Sequence, residues 1–227
     1  MISLQSYGNA ALKLHENGYI PIPIIPATKR PSIKNWSSIK NDYAQIEKLS
    51  LEYPHAGVGV LLNDLIVFDI DILDDKQSLL IRDIIIRELG DTIERIGKFP
   101  KRALFYRRSG DEFRKKSTKI FNLEKGKAQL EVLASGTQCI IFGTHPETKQ
   151  SYQWIDESPL EVHSEDLPCV TLKQVKNIIT QSETLLQNHV VQEEVKISTI
   201  KISINEHKRE EGIKDIPLVR SALSYIE

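Results

Sequence analysis

The run Leu65-Ile66-Val67-Phe68-Asp69-Ile70-Asp71 constrains the fold most. It has the length of one strand and is apolar except at its two aspartates, so it reads as a buried strand that ends in acid. A strand repeats every two residues, which turns both carboxylates to one face. Two acids on one buried face repel each other and lose hydration. The arrangement makes sense with a divalent cation between them, and hard oxygen ligands at that spacing suit Mg²⁺ or Mn²⁺. The plainer reading, in which one Asp caps the next element, is served better by Asp74 and Asp75.

The patterning around this strand predicts an α+β fold, a mixed or antiparallel sheet flanked by helices. Helices are expected over 3–17 (capped by Ser3, stopped by Gly18), 42–53, 75–89 and 171–187. Strands are expected over 19–25, 57–62, 65–71, 102–108, 128–134 and 138–143. Asn63-Asp64 and Ser135-Gly136-Thr137 read as hairpin turns. Residues 188–214 are polar and weakly patterned and read as a linker, and a short helix is expected from Asp215. With 227 residues, 40% of them hydrophobic, the chain can bury one substantial core. Domain bounds follow as 1–170 for the main domain, 171–189 for a helix, 190–214 for the linker and 215–227 for the start of another domain. Nothing reads as a membrane span or a secretion signal, so a cytoplasmic location is expected. Cys139 and Cys169 have no metal-spaced partners, which argues against zinc and for two reduced thiols.

A third carboxylate, Glu131, interrupts the alternating run Gln129-Leu130-Glu131-Val132-Leu133. The pattern fits a metal ligand and an outward-facing sheet residue equally well. Three carboxylates from separate strands are the usual cage for two metals about 3.5–4 Å apart in phosphoryl transfer. Net charge is −1, yet Arg95–Lys119 holds ten basic residues against Asp111 and Glu112. That local field suits a polyanion, although a charge run alone is more often a solvated face. On the 102–108 strand, Arg102 and Arg108 share one face and Arg107 takes the other, so the three cannot all serve one site. His145, after Gly143 and before Pro146, sits where a fixed loop is expected.

The order of motifs resembles the prim-pol branch of the archaeo-eukaryotic primase superfamily, common in phages and plasmids. The resemblance covers most of residues 5–155. It begins with Gly18-Tyr19, Pro23, Lys29-Arg30-Pro31 and Trp36, and continues through Gly57-Val58-Gly59 and Asp69-Ile70-Asp71. Arg95-Ile96-Gly97, Pro100-Lys101-Arg102 and Tyr106-Arg107 follow. It closes with Glu131-Val132-Leu133, Gly136, Gln138, Gly143-Thr144-His145-Pro146, Thr148 and Tyr152-Gln153-Trp154. The resemblance implies a DNA primase/polymerase with Asp69, Asp71 and Glu131 as catalytic metal ligands for Mg²⁺ or Mn²⁺. It implies Arg95, Lys101 and Arg102 as nucleotide contacts; His145 is expected to join them on its loop position, and lying after the third acid it is not the family's histidine. Many members carry a Ser-x-His between the acid motifs; here no His falls between 56 and 144, and the basic residues resemble a phage-type variant. Lys29, Lys34, Arg107 and Arg108 are expected to contact nucleic acid. The implied partners are a single-stranded DNA template, a primer and NTP or dNTP. Residues 215–226 resemble the start of a helical primase C-terminal domain. A longer protein, with a helicase, in a bacterial host's cytoplasm is the expectation.

Three other readings compete. A haloacid-dehalogenase-type phosphohydrolase also starts from Asp-x-Asp, but Leu73 stands where Thr or Val is expected, and Gly90-Asp91 comes too soon. A topoisomerase-primase domain places its Glu before its Asp-x-Asp. A non-catalytic single-stranded-DNA or origin-binding module would keep the fold without synthesis.

Overall fold

The computed structural model describes residues 5–211. In chain order the elements are α1 (Tyr7–Glu16), β1 (Pro21–Ile24), α2 (Tyr43–Glu52), β2 (Gly57–Leu61), β3 (Leu65–Asp71), α3 (Asp75–Leu89), β4 (Glu94–Ile96), β5 (Arg102–Arg108), β6 (Lys116–Ser117), β7 (Phe121–Leu123), β8 (Gly126–Leu133), β9 (Gln138–Phe142), β10 (Gln153–Ile155), β11 (Cys169–Val170) and α4 (Leu172–Glu211). The fold is α+β. Residues up to Thr184 form one compact unit; the described part of the second, from Leu185, is the rest of α4.

Two sheets carry the first unit. β2 lies between β1 and β9 in a three-stranded antiparallel sheet. The other eight strands form a mixed sheet in the order β10-β4-β5-β3-β8-β6, with β7 folded back on β8 and β11 parallel to β5. Apolar side chains decide how the layers stack. Val58, Val60, Cys139 and Ile141 of the small sheet join Leu65, Val67, Ala103 and Phe105 of the large sheet and Tyr7, Ala10 and Leu14 of α1 in one buried cluster. Helix α3 covers the opposite face of the large sheet, where Phe68, Leu104 and Tyr106 are buried. The Asp74 carboxylate accepts from the Gln77 N–H and caps α3, while Gly90 (φ +89°) ends it in a conformation L side chains rarely adopt. Ser78 Oγ donates to the Pro100 carbonyl (2.8 Å), and the Tyr106 hydroxyl donates to that of Gly90 (2.9 Å), which tie the helix to the sheet.

Neither expected hairpin forms. β2 and β3 belong to different sheets, and so do β8 and β9. β2 and β3 are each central, with both edges already paired, so no edge is left for a turn to join. The two connections instead cross between sheets side by side. The Leu62 N–H donates to the Thr137 carbonyl and Ser135 Oγ to that of Asn63. The stretch read as a linker from 190 is helical through Glu211. Between Thr171 and Glu211 there is no Gly or Pro, and its Glu, Lys and Gln residues are good helix formers, so nothing stops the helix. α1 begins at Tyr7, after Ser6; the expected Ser3 cap and the helix from Asp215 lie outside the described residues.

Candidate active site

Strand register assembles the site. Asp69 stands opposite Ala103 of β5 on one side and Glu131 of β8 on the other. Arg95 of β4 stands opposite Ala103 in turn. Opposed residues share a face, so Arg95, Ala103, Asp69 and Glu131 form one row across four strands. Ala103 is the small member and leaves space between Arg95 and the acids. Asp71, opposite Gln129, lies on the same face two residues on. One step the other way along the strands, Val67 and Phe105 are already in the dry core between the sheets. Asp69 and Asp71 therefore sit where that core opens into a cavity, and Glu131, next in the row, lies outside its walls. The cavity walls are Lys29, Asp69, Asp71, Arg95, Gly97, Lys98, Lys101, Arg102, Leu133, Gln138, Cys139, Ile140, His145, Glu147 and Tyr152.

Burial pushes the Asp69 carboxyl above the ordinary carboxylate range, against the pull of Arg95 and Lys29; the charges of Asp71 and Glu131 push it further up. Among the described residues no hydrogen bond or ion pair ends on its carboxylate. The flanking acids are matched by lysines. Lys101 Nζ pairs with Asp71, and Lys115 Nζ lies 2.5 Å from Glu131 Oε1. Among the described residues, no three His, Cys, Asp or Glu side chains stand together as a ready-made metal site.

The wall facing the acids is cationic and firmly held. Arg95 Nη1 donates to the Ile140 carbonyl, and its guanidinium carbon lies 4.5 Å from the Tyr152 ring centroid. Among the described residues its Nε has no hydrogen-bond partner though buried, and neither has Gln138 Oε1, so two polar atoms of the cavity wall are unsatisfied. Gln138 Nε2 donates to the Lys29 carbonyl (3.1 Å) and tethers the loop that brings Lys29 to the mouth. His145 is buried in a turn. Its Nδ1 accepts from the N–H groups of Glu147 (3.3 Å) and Thr148 (3.2 Å), which leaves the proton on Nε2. Burial and then the charge of Lys29 lower the pKa of His145, opposed by Glu147, so the ring is held neutral as a donor. Its ring meets Tyr152 edge-on, 5.4 Å between centroids.

Gly97 leaves room for the two rings of this wall. A Cβ there would stand 2.6 Å from Tyr152 Cε1 and 2.9 Å from His145 Cδ2. Gly97→Ala is therefore expected to displace both rings, at a cost of about 1–3 kcal/mol in stability. Thermal melting with nucleotide titration checks this, and loss of melting temperature without loss of affinity would show the rings to be irrelevant to binding.

The remaining basic candidates go elsewhere. Arg102 borders the cavity, but strand alternation turns its side chain to the α3 face, where Nη1 pairs with Glu94 (2.6 Å). Glu94 also receives Arg82 Nε at 2.6 Å. Arg107 and Arg108 lie at the other end of β5. Arg108 bonds Asp64 and the Gly110 carbonyl, and Arg107 pairs with Cys169 of β11 through the backbone. Lys34 is exposed in the loop before Trp36 and does not line the cavity. Sequence reasoning passed over Gln138, Tyr152, Lys115 and Glu147 as site residues. The first two lie in recognisable motifs. Lys115 and Glu147 carry no local signal, being brought in by β6 pairing and by the Lys98–Glu147 ion pair (2.7 Å).

No curated protein sequence matches the chain. A family model described as the N-terminal domain of bifunctional DNA primase/polymerases matches residues 11–168, a span that includes every cavity residue named above.

Proposed function

The chain belongs to the Prim-Pol family of bifunctional DNA primase/polymerases, and from that premise we propose that it joins nucleotides on a single-stranded DNA template, with Asp69, Asp71 and Glu131 holding divalent metal. The observation that carries the reading is the cross-strand row, which sets a buried arginine and two carboxylates on one face at the end of a dry core. The donor types suit the metal, although binding would require Asp71 and Glu131 to leave Lys101 and Lys115 and converge on Asp69. Three carboxylates share that face, and among the described residues no cation forms an ion pair with Asp69. All are hard oxygen donors suited to Mg²⁺ or Mn²⁺. Bound metal would supply charge neutralisation for the triphosphate and activation of the attacking hydroxyl.

In nucleotidyl transfer the primer 3′-oxygen bonds to the α-phosphorus, the bond to the β-phosphate oxygen breaks, and pyrophosphate leaves. Charge grows on phosphate oxygens, and preorganised donors stabilise it best in a site closed to water. Arg95 supplies its unsatisfied Nε, His145 its Nε2–H, and Lys29 and Lys101 point charge at the mouth. Arg102 holds the sheet beneath them and makes no contact with nucleotide in this scheme; Lys34, Arg107 and Arg108 take no part in it.

The test is extension of a labelled primer on single-stranded DNA with dNTPs and Mg²⁺ or Mn²⁺. Lengthened products that disappear with EDTA are expected. Tight binding of the template with no synthesis under any metal would replace this reading with that of a non-catalytic binding module.

A further inference from the structure

Phe99 is the most exposed aromatic side chain among the described residues, at 63%. It projects from the turn Lys98–Lys101, whose neighbours Gly97, Lys98 and Lys101 all line the cavity. An isolated exposed apolar side chain ordinarily needs no explanation. This one differs because its mount is fixed. The Lys101 N–H closes the turn on the Lys98 carbonyl (2.9 Å). The Pro100 carbonyl is clamped from beneath by Ser78 Oγ (2.8 Å) and Arg102 Nε (3.3 Å), both buried. Arg102 is in turn locked to Glu94. The backbone on either side of Phe99 is thus anchored to α3 and β5, while the side chain is left largely exposed.

Resting on the function proposed above, we propose that Phe99 is a stacking platform for a nucleobase at the cavity rim. An aromatic face fits any base, and the flanking ammonium groups of Lys98 and Lys101 suit the phosphates on either side of it. A rigid mount means little ordering cost when the base arrives, which is what an exposed ring needs to contribute affinity. The base belongs either to the single-stranded template or to the incoming nucleotide. Those two sources share the chemistry and are separated by experiment.

The experiment compares wild type, Phe99→Ala and Phe99→Trp by fluorescence anisotropy on a single-stranded DNA oligonucleotide and on an abasic oligonucleotide of the same length, with calorimetric titration of dNTP in Mg²⁺ as the second arm. All three proteins are expected to melt within a few degrees of one another, because the side chain is mostly exposed. Phe99→Ala is expected to weaken binding about tenfold in one arm or both, with Phe99→Trp retaining it. In the DNA arm the loss should vanish on the abasic strand and leave the salt dependence unchanged, since no phosphate contact is removed. A loss confined to the oligonucleotide assigns the template base, and one confined to dNTP assigns the incoming base. Equal affinities for all three proteins in both arms, or an equal loss for Ala and Trp, overturn the proposal. Neither arm needs turnover, so a protein that extends no primer but shows the Phe99 effect keeps the platform and loses the polymerase reading.

Discussion

Asp69→Asn is expected to abolish primer extension, lowering the rate on the order of 10³-fold or more, while the protein folds as well as wild type. The substitution keeps the shape and removes the charge. Asp69 is the carboxylate the fold charges most dearly: burial and two neighbouring acids disfavour its anion, and among the described residues no ion pair compensates it. Asparagine removes both penalties, so urea denaturation without metal should show the variant at least as stable as wild type. Mn²⁺ should raise the melting temperature of wild type and leave that of Asp69→Asn unmoved, because binding to the native state alone stabilises it. Activity retained within a few fold, or a melting temperature that responds equally to Mn²⁺, would remove Asp69 from the metal site. Glu131→Gln should likewise lose primer extension and the response to Mn²⁺, through its position opposite Asp69.

Arg102→Met is expected to have the largest effect on stability, about 3–5 kcal/mol, or roughly 10 °C in melting temperature. Glu94 and Arg102 have side chains only 3% and 5% exposed. Removing the guanidinium leaves a buried carboxylate with Arg82, itself 30% exposed, as its one remaining cation among the described residues. It also removes a donor from the Pro100 carbonyl. The double variant Glu94→Leu/Arg102→Met should recover much of the loss, since it leaves no buried charge unpaired. Lys101→Ala, one residue away, should do the reverse, with little change in melting temperature and a raised KM for dNTP, because Lys101 lies on the cavity face and pairs with the half-exposed Asp71. Arg102→Met that melts like wild type but binds dNTP poorly would put Arg102 back among the nucleotide contacts.

The contrast between these neighbours marks how far residue patterns reach. Period two assigns Asp69 and Asp71 to one face and separates Arg102 from Arg107, and both hold in the structure. The bounds of α3 and β5 follow from local signals: Asp74 and Gly90 as caps, and a run of apolar residues between charged ends. The same local reasoning fails at Asn63-Asp64 and at Ser135–Thr137. A turn signal says that the chain bends. It does not say whether the next strand has an edge to pair with, and here both edges of β2 and of β3 are taken by strands distant in sequence.

What the sequence determined by itself is therefore whatever one element can enforce: which residues alternate, where a helix is capped, and that two acids end a buried strand. Tertiary structure decided which elements are neighbours. It set Glu131 opposite Asp69, brought Arg95 into the same row across Ala103, turned the side chain of Arg102 onto Glu94, and left Phe99 on an anchored turn beside the cavity. The physical reason is range. Periodicity and capping act over a few residues along the chain, whereas register, burial and ion pairing depend on partners dozens of residues away, and only the packed sheet brings those together.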